Sequence, residues 1–554
     1  MSASNAALQE ARVVHAPFVG PVERRSVLDR AHRGDVEGAL GVVASFDAGL
    51  RVSRRRRLAA LLAIMGPGLV VMVADNDAGG VSVYAQAGQN YGLRLLWPLL
   101  LLAPALYINQ EMVARLGAVT GAGHARLIFE RFGRRWGAFA FGDLLALNLL
   151  TIVTELIGVS LALGYFGVSR FVAVPLAAAA LVVLTATGSF RRWERAMYVL
   201  VAVNLVAVPL AVLSHPHATG VAAAAVPRLG GDARTTPLLF VVALVGTTVA
   251  PWQLFFHQSN VVDKRITSRW LGYERIDTLV GTVFFALGAV AVLVACAYAF
   301  GGSALHGDFL DAGAVAHALN GRLGAPAGAL FALVLLNASI LGAGVVGLST
   351  SYAIGDVAGV KHSLHRSWRD ARTFHASFAA ALAIAAAVVL LPGLPLGLVT
   401  TAVQALAGIL LPSATVFLVL LCNDRAVLGP WTNPRWLNAV AALVVALMLE
   451  LSALLTLSTL FPRLDLRLTA TALAAGLLLA LALVGLTSRS RASSADVLEP
   501  TPWQRLTWTM PPLESLPLPA GSRGRTIGLV VLRAYLLLAA ILLVVKAVGI
   551  ALPH

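Results

Sequence analysis

The sequence predicts an all-α polytopic membrane protein, and three observations carry that reading. Hydrophobic residues make up 58% of the 554-residue chain and charged residues 12%, with a mean hydropathy of +0.80. A water-soluble domain of this size has nowhere to hide so much apolar side chain. Apolar runs of about 20 residues or more, the length a helix needs to cross the hydrocarbon, recur along the chain. Basic residues gather in alternate connections between those runs, the pattern that sets orientation in a bilayer. The net charge of +15 is therefore read as topology. Nucleic acid is excluded as a partner, because no basic face interleaves with exposed aromatics.

In order, the spans are expected near 58–88, 94–116, 138–163, 171–188, 195–213, 237–260, 277–301, 324–355, 374–392, 396–422, 436–461 and 467–487. A thirteenth candidate, 527–549, is weakened by Arg533 and Lys546 within it. Arg54 to Arg57 precede the first span, and Arg126, Arg131, Arg134 and Arg135 follow the second. Arg191, Arg192 and Arg195 follow the fourth, Lys264, Arg265, Arg269 and Arg275 the sixth, and Lys361, Arg366, Arg369 and Arg372 the eighth. The intervening connections are poorer, which places the N-terminus in the cytoplasm of a multi-pass plasma or inner membrane protein. Residues 1–57, ending in "RVSRRRR", read as a retained cytosolic tail, since the first apolar run begins too late for a secretory signal. Residues 488–526 are rich in Pro and Ser and read as a cytosolic linker. Cys296 and Cys422 both fall in apolar runs and build neither a disulfide framework nor a thiolate metal site.

Two spans carry stretches that suit neither helix nor lipid. The first holds "DNDAGG" (75–80) and the sixth "VAPWQLFFHQS", with Pro251 near its centre. They stand five spans apart, as expected of inverted repeats covering 58–214 (spans 1–5) and 237–424 (spans 6–10), followed by 436–487 (spans 11–12) and 527–554. Interrupted helices at corresponding places in two halves point to a substrate site near the midplane. Unwound backbone survives at that depth only where it lines a cavity, and its freed carbonyls can bind a cation.

The acids sharpen the point. Each intramembrane carboxylate costs roughly 2.5–3.5 kcal/mol on insertion scales, and two separated by one residue repel each other unless a cation or proton intervenes. One reading makes Asp75 and Asp77 caps of two half-helices, with Asn76 in the turn. The other makes them a carboxylate cation site completed by backbone oxygens, a donor set suited to hard ions such as Mg2+, Mn2+ or Ca2+.

At these residues the chain resembles the Nramp family of divalent-metal transporters. "GPGLVVMVADNDAGGVSVYAQAGQNYG" (66–92) is similar to the family's first span, whose hallmark is D-P-G-N. "QEMVARLGAVTG" (110–121), "ELIGVSLAL" (155–163), "GSFRRWERAM" (188–197) and "CNDRAVLG" (422–429) extend the likeness over roughly residues 58–430. The resemblance implies a LeuT-type 5+5 inverted repeat with discontinuous first and sixth helices, plus extra C-terminal spans. It puts the family's aspartate on Asp77, its carbonyl donors on Ala74 and Thr247, and its tenth-span glutamine on Gln404. Glu155 matches one acid of the family's proton route, while the neighbouring acidic positions fall on Ile152 and Leu145. His257 matches a histidine common in the sixth span.

The departures share a direction. The asparagine of D-P-G-N falls on Gly80, and the sixth-span M-P-H becomes "APW", so Ala250 stands at the methionine ligand position and Trp252 at the histidine. Asp75 stands where the family usually has an uncharged residue. A thioether favours soft ions, and its loss beside two small residues leaves a roomier, more acidic site, suited to partly hydrated Mg2+. The pattern is similar to the Nramp-related magnesium transporters, a branch that carries Mg2+ and Mn2+ without proton coupling. The expectation is thus a transporter importing Mg2+ and Mn2+ by alternating access, with an ordinary proton-coupled Mn2+/Fe2+ importer as the alternative. The metal is cargo, no cofactor is implied, and the partners are the ion and the bilayer. Asp77 is the central ligand and Asp75 a second acid, with Ala74, Gly80, Thr247, Ala250 and Gln404 around them. Glu155, Trp252 and His257 are set aside as proton-route or structural residues, and Asn337 as an interhelical hydrogen-bonding residue. An intramembrane hydrolase would need a clustered nucleophile and base or a zinc motif such as H-E-x-x-H, and the sequence has none.

Overall fold

The first span is interrupted as its sequence demands. In the computed structural model, which describes residues 32–45, 47, 53–227, 238–461, 465, 468–476, 502–517, 526 and 528–535, it is built from α1 (Arg54–Ile64), α2 (Pro67–Ala74) and α3 (Ala78–Tyr91). Gly66, at φ 146°, supports a 50° bend between α1 and α2, a backbone conformation that glycine adopts without a side-chain clash. Pro67 follows at the first helical position, where a missing N–H costs nothing. The expected spans at 467–487 and 527–549 lie largely outside the described residues.

From α3 the chain turns through Gly92–Leu95 into α4 (Leu96–Thr120), a short connecting helix α5 (His124–Phe132) and α6 (Arg134–Tyr165). α7 (Arg170–Thr185), α8 (Phe190–Asn204), α9 (Ala207–Leu213) and the short α10 (Ala218–Ala225) complete the first half. The sixth span is again two pieces, α11 (Leu238–Thr248) and α12 (Pro251–Asp263), parted at Val249–Ala250. α13 (Leu271–Phe300), α14 (Ala312–Leu323), α15 (Ala325–Ala358), α16 (Arg372–Val389), α17 (Leu396–Cys422) and α18 (Arg435–Leu460) follow.

Among the described residues seven helices are long and apolar enough to cross a membrane, and α1 with α2 forms an eighth as a bent pair. The sequence reading counted more spans; part of the difference falls outside the described residues, and part has a local cause. α11 and α12 have 11 and 13 residues and α7 has 16, each short of a full crossing by itself.

The long α13 and α15 form the spine. α13 packs along both α2 and α3, α15 against α6, and α11 against α17, so both broken spans lie inside the bundle. Close approach relies on small residues, as in membrane interfaces generally. A β-carbon on Gly281 of α13 would stand 2.8 Å from Met72 Cβ and 2.9 Å from the Gly68 carbonyl oxygen. The bend at Gly66 is pinned from the same helix, where Asp277 Oδ2 accepts from the Gly66 and Gly68 amides at 3.0 and 2.8 Å.

Part of the tail read as a plain cytosolic extension is folded. Val36–Gly38 and Gly41–Val43 pair antiparallel, with Val36 opposite Val43. Val36, Ala39 and Val43 are buried. The hairpin is tied to the bundle by the Ala39 amide, which donates to Glu194 Oε2 at 2.5 Å, and by Arg265 Nη1, which donates to the Asp35 carbonyl at 3.0 Å. Glu194 in turn pairs with Lys264 at 2.5 Å.

Gly281→Val is expected to lower the thermal unfolding midpoint of the purified protein in detergent, because the added atoms meet Met72 and the α2 backbone. Overpacking of this kind costs roughly 1–3 kcal/mol. Gly272→Ala on the same helix, where a β-carbon meets nothing within 4 Å, serves as the control and should leave the midpoint unchanged or slightly raised.

Candidate metal centre

Where α2 ends and α3 begins, the chain leaves helical hydrogen bonding at Asp75, Asn76 and Asp77. All three are buried, at 1%, 2% and 2% exposure. Asn76 anchors the break to α13 by donating from Nδ2 to the Phe285 carbonyl at 3.0 Å. Asp77 is the N-cap of α3, and its Oδ1 accepts from the Gly80 amide at 2.6 Å. The capping role weighed as a rival to cation binding is therefore present at Asp77, but it engages one carboxylate oxygen. Asp75 is different. It is the C-cap of α2 through its backbone alone; its side chain is free of that role, with Oδ1 accepting from Gln253 Nε2 on α12 and Oδ2 having no protein partner.

The remaining expected residues come from elements distant in sequence. A β-carbon on Gly80 would lie 3.0 Å from the Asp75 carbonyl oxygen, 3.2 Å from Thr247 Oγ1 and 3.3 Å from Asp77 Oδ1. Three oxygens thus converge on the space that a glycine leaves open. Thr247 lies at the C-terminal end of α11, and its hydroxyl is buried without a partner. Ala74 is the last residue of α2, and the last four carbonyls of a helix have no intrahelical donor. The Gln404 amide, on α17, lies directly against Gly79. Ala250 is the N-cap of α12, with extended backbone. Asp75, Asp77, Ala74, Gly80, Thr247, Ala250 and Gln404 thus all fall at the two breaks or on the helix facing them.

Glu155 reaches the same place from α6. Its Oε2 accepts from the Ala78 amide at 3.0 Å, while its Oε1 is buried without a partner. A β-carbon on Gly342 would meet both Glu155 Oε2, at 2.5 Å, and Asp77 Cβ, at 3.1 Å, so the two acids are neighbours. Trp252 is fully buried in the core, and its carbonyl accepts from Ser349 Oγ at 2.9 Å. Asn337 departs from expectation. It is buried, yet neither its oxygen nor its nitrogen has a hydrogen-bond partner, so it makes no interhelical bond of the kind its sequence position suggested.

Sequence reasoning missed a chain of polar side chains leading away from Asp75. Gln253 Oε1 accepts from Gln110 Nε2 at 2.9 Å, Gln110 Oε1 pairs with His257 Nδ1 at 2.9 Å, and His257 Nε2 meets Glu274 Oε1 at 3.0 Å. The available signal was the polar face of the sixth span, where Gln253 and His257 are four residues apart and share one side of a helix. Glu274 falls between the expected spans 237–260 and 277–301, among basic residues, whereas the structure places it buried in the first turn of α13.

The centre is sealed from solvent. A cavity of about 1710 Å3 lies elsewhere, lined mainly by apolar side chains such as Trp97, Leu244 and Leu447, and shares no residue with it. Among the described residues no group of three or more His, Cys, Asp and Glu side chains is placed to hold a metal ion. A cation bound here would rely on two carboxylates supplemented by hydroxyl, amide and carbonyl oxygens, a hard-donor set. The orphaned oxygens of Asp75 and Thr247 fit such a ligand.

Comparison with known proteins agrees with this arrangement. The family model described as natural resistance-associated macrophage protein-like, Nramp, matches residues 68–458. The divalent metal cation transporter MntH of Ralstonia nicotianae is 33% identical over 402 residues, covering 69% of this chain and 87% of its own. MntH of Bacillus subtilis is 27% identical over 420 residues, covering 72% and 93%. These relatives are transporters rather than enzymes. Among solved structures, the Eremococcus coleocola manganese transporter bound to an aromatic bis-isothiourea compound superposes with a TM-score of 0.60 at 21% identity, covering 79% of this chain and 95% of that one. At that identity the likeness establishes the fold, the LeuT-type arrangement in which both broken helices lie at the core. With a family match running over most of its length, the chain belongs to the Nramp family.

Proposed function

We propose that the protein carries divalent metal ions, Mg2+ together with Mn2+, into the cell by alternating access and without moving protons. The observation that carries this reading is a pair of buried carboxylates at a helix break, and it is supported by a buried alanine, Ala250, where the resemblance puts the family's thioether. Asp77 would bind the ion directly. Asp75, held by Gln253, would supply the second charge, with Ala74, Thr247 and Gln404 offering oxygens. The glycine at position 80 leaves the Asp75 carbonyl, the Thr247 hydroxyl and Asp77 Oδ1 facing one point with no side chain between them, which supports a hard ion such as Mg2+ held by oxygens. The membrane potential alone supplies about 2.3 kcal/mol per charge per 100 mV, enough to accumulate a divalent cation without a proton gradient.

A second reading, proton-coupled transport of Mn2+ or Fe2+, is favoured by one observation, the hydrogen-bonded chain from Asp75 through Gln253 and Gln110 to His257 and Glu274. Two of its links are primary amides. An amide can donate and accept at once, but it does not release a net proton at neutral pH. The chain is better suited to orienting Asp75 than to draining a proton from it, and the resemblance puts Ile152 and Leu145 at positions where the family has acids.

One assay on purified protein in liposomes separates these outcomes. Asp77→Ala should abolish Mg2+ entry while the protein remains monodisperse, and entry through the unaltered protein should leave the lumenal pH unchanged. Near-normal flux in Asp77→Ala would remove the site assignment. Metal-dependent acidification, absent from empty vesicles, would establish the proton-coupled reading instead.

Selectivity can be tested at the two small residues. Ala250→Met combined with Gly80→Asn should move preference toward Mn2+ and Cd2+, so that Cd2+ inhibits the variant more strongly than the parent and Mg2+ less. A thioether gains only with polarizable ions. The asparagine β-carbon would fill the space beside Thr247 and the Asp75 carbonyl. Unchanged inhibition by both ions in a folded variant would show that neither residue sets selectivity.

A further inference from the structure

Residues 502–517, which the sequence reading placed in a linker, dock against the end of the bundle. Ser268 Oγ donates to the Leu506 carbonyl at 2.9 Å, the Met510 amide to the Val119 carbonyl at 3.3 Å, and Arg131 Nη1 to the Pro517 carbonyl at 2.8 Å. This segment lies beyond the residues that match the family, 68–458. Docking sets the Arg505 guanidinium 4.8 Å from the centre of the Trp431 ring, whose Nε1 donates to the Arg505 carbonyl at 2.8 Å.

Beside this contact is a cavity of about 310 Å3, bounded by α4, the first turns of α13 and α18, and the docked segment. Three arginines line it, Arg115, Arg275 and Arg505, against a single carboxylate, Glu111. Glu111 is fully engaged. Its Oε1 accepts from Arg275 Nε and Nη2 at 2.9 and 2.7 Å, and its Oε2 from Arg115 Nη2 at 3.2 Å. Arg115 is 2% exposed, and although its terminal nitrogens hold the Trp431 carbonyl and Asn433, its Nε has no partner. Arg505 stacks on Trp431 and is paired with no carboxylate among the described residues. Two positive charges are therefore left over around one small cavity. Trp436, 64% exposed, flanks it, an aromatic placement common where a helix passes the lipid headgroups.

We propose that this cavity binds a phosphate-bearing anion, the headgroup of an anionic phospholipid or free phosphate. A guanidinium presents paired donors that match two phosphate oxygens, and basic pockets between membrane helices take acidic headgroups. Here the C-terminal segment brings in an arginine with no acid to meet it.

The test is thermal unfolding of the full-length protein in detergent, with added phosphatidylglycerol, phosphatidylcholine or inorganic phosphate. A ligand that binds only the folded state raises the midpoint. Phosphatidylglycerol should raise it by a few degrees over phosphatidylcholine, and Arg275→Gln/Arg505→Gln should abolish that rise while unfolding normally in phosphatidylcholine. If inorganic phosphate reproduces the rise, the anion is free phosphate, and if it does not, the source is the lipid. Arg505→Gln alone, on the docked segment, reads the same loss should the double variant fail to fold. No rise with either anion, or a rise that survives in the variants, overturns the proposal.

Discussion

The structure depends on burying two carboxylates, Asp75 and Asp77, within a stretch of chain that cannot hydrogen-bond as a helix. In a medium that solvates charge poorly, neither can remain ionised without a counter-charge or a set of donors. The surrounding architecture answers that constraint piecewise. Asp77 takes the Gly80 amide, Asp75 takes Gln253, and Glu155 takes the Ala78 amide, so each acid is partly satisfied from a different element. What is left unsatisfied, Asp75 Oδ2, Glu155 Oε1 and the Thr247 hydroxyl, is what a cation would need.

The same constraint explains the packing around the break. α13 approaches closely enough for its Phe285 carbonyl to hold Asn76, which requires glycine at the contact: a β-carbon on Gly288 would lie 2.5 Å from Asn76 Nδ2. Gly79 makes room for Gln404, and Gly342 for Glu155 and Asp77. A site that had to change shape during transport could not rest on one rigid cage, and the candidate donors here are drawn from α2, α3, α6, α11 and α17.

Much of this was legible in the sequence because the cost of the unusual residues is so high. An Asp-Asn-Asp run in an apolar segment and a Pro in the matching segment five spans later mark both breaks, and the structure parts the helices at 75–77 and at 249–250. Three features were not legible. The partners of Asp75 lie on α12 and, through Gln253, on α4, and no local spacing reveals a contact across 178 residues. The hairpin at 36–43 has strands of three residues, too short to announce themselves, and is tied to the bundle through Glu194 and Arg265. The segment 502–517 reads as a linker because its prolines and polar residues satisfy no period, yet Trp508 packs over Gly429 and its backbone bonds to α4.

The most direct test of the central claim is the position of the ion itself, read from anomalous scattering in crystals of the protein grown with Mn2+. The account predicts one dominant peak at the break, within roughly 2.0–2.6 Å of an Asp77 carboxylate oxygen and bordered by Thr247 and Gln404. A peak at His257 and Glu274 instead, with the break empty, would contradict it.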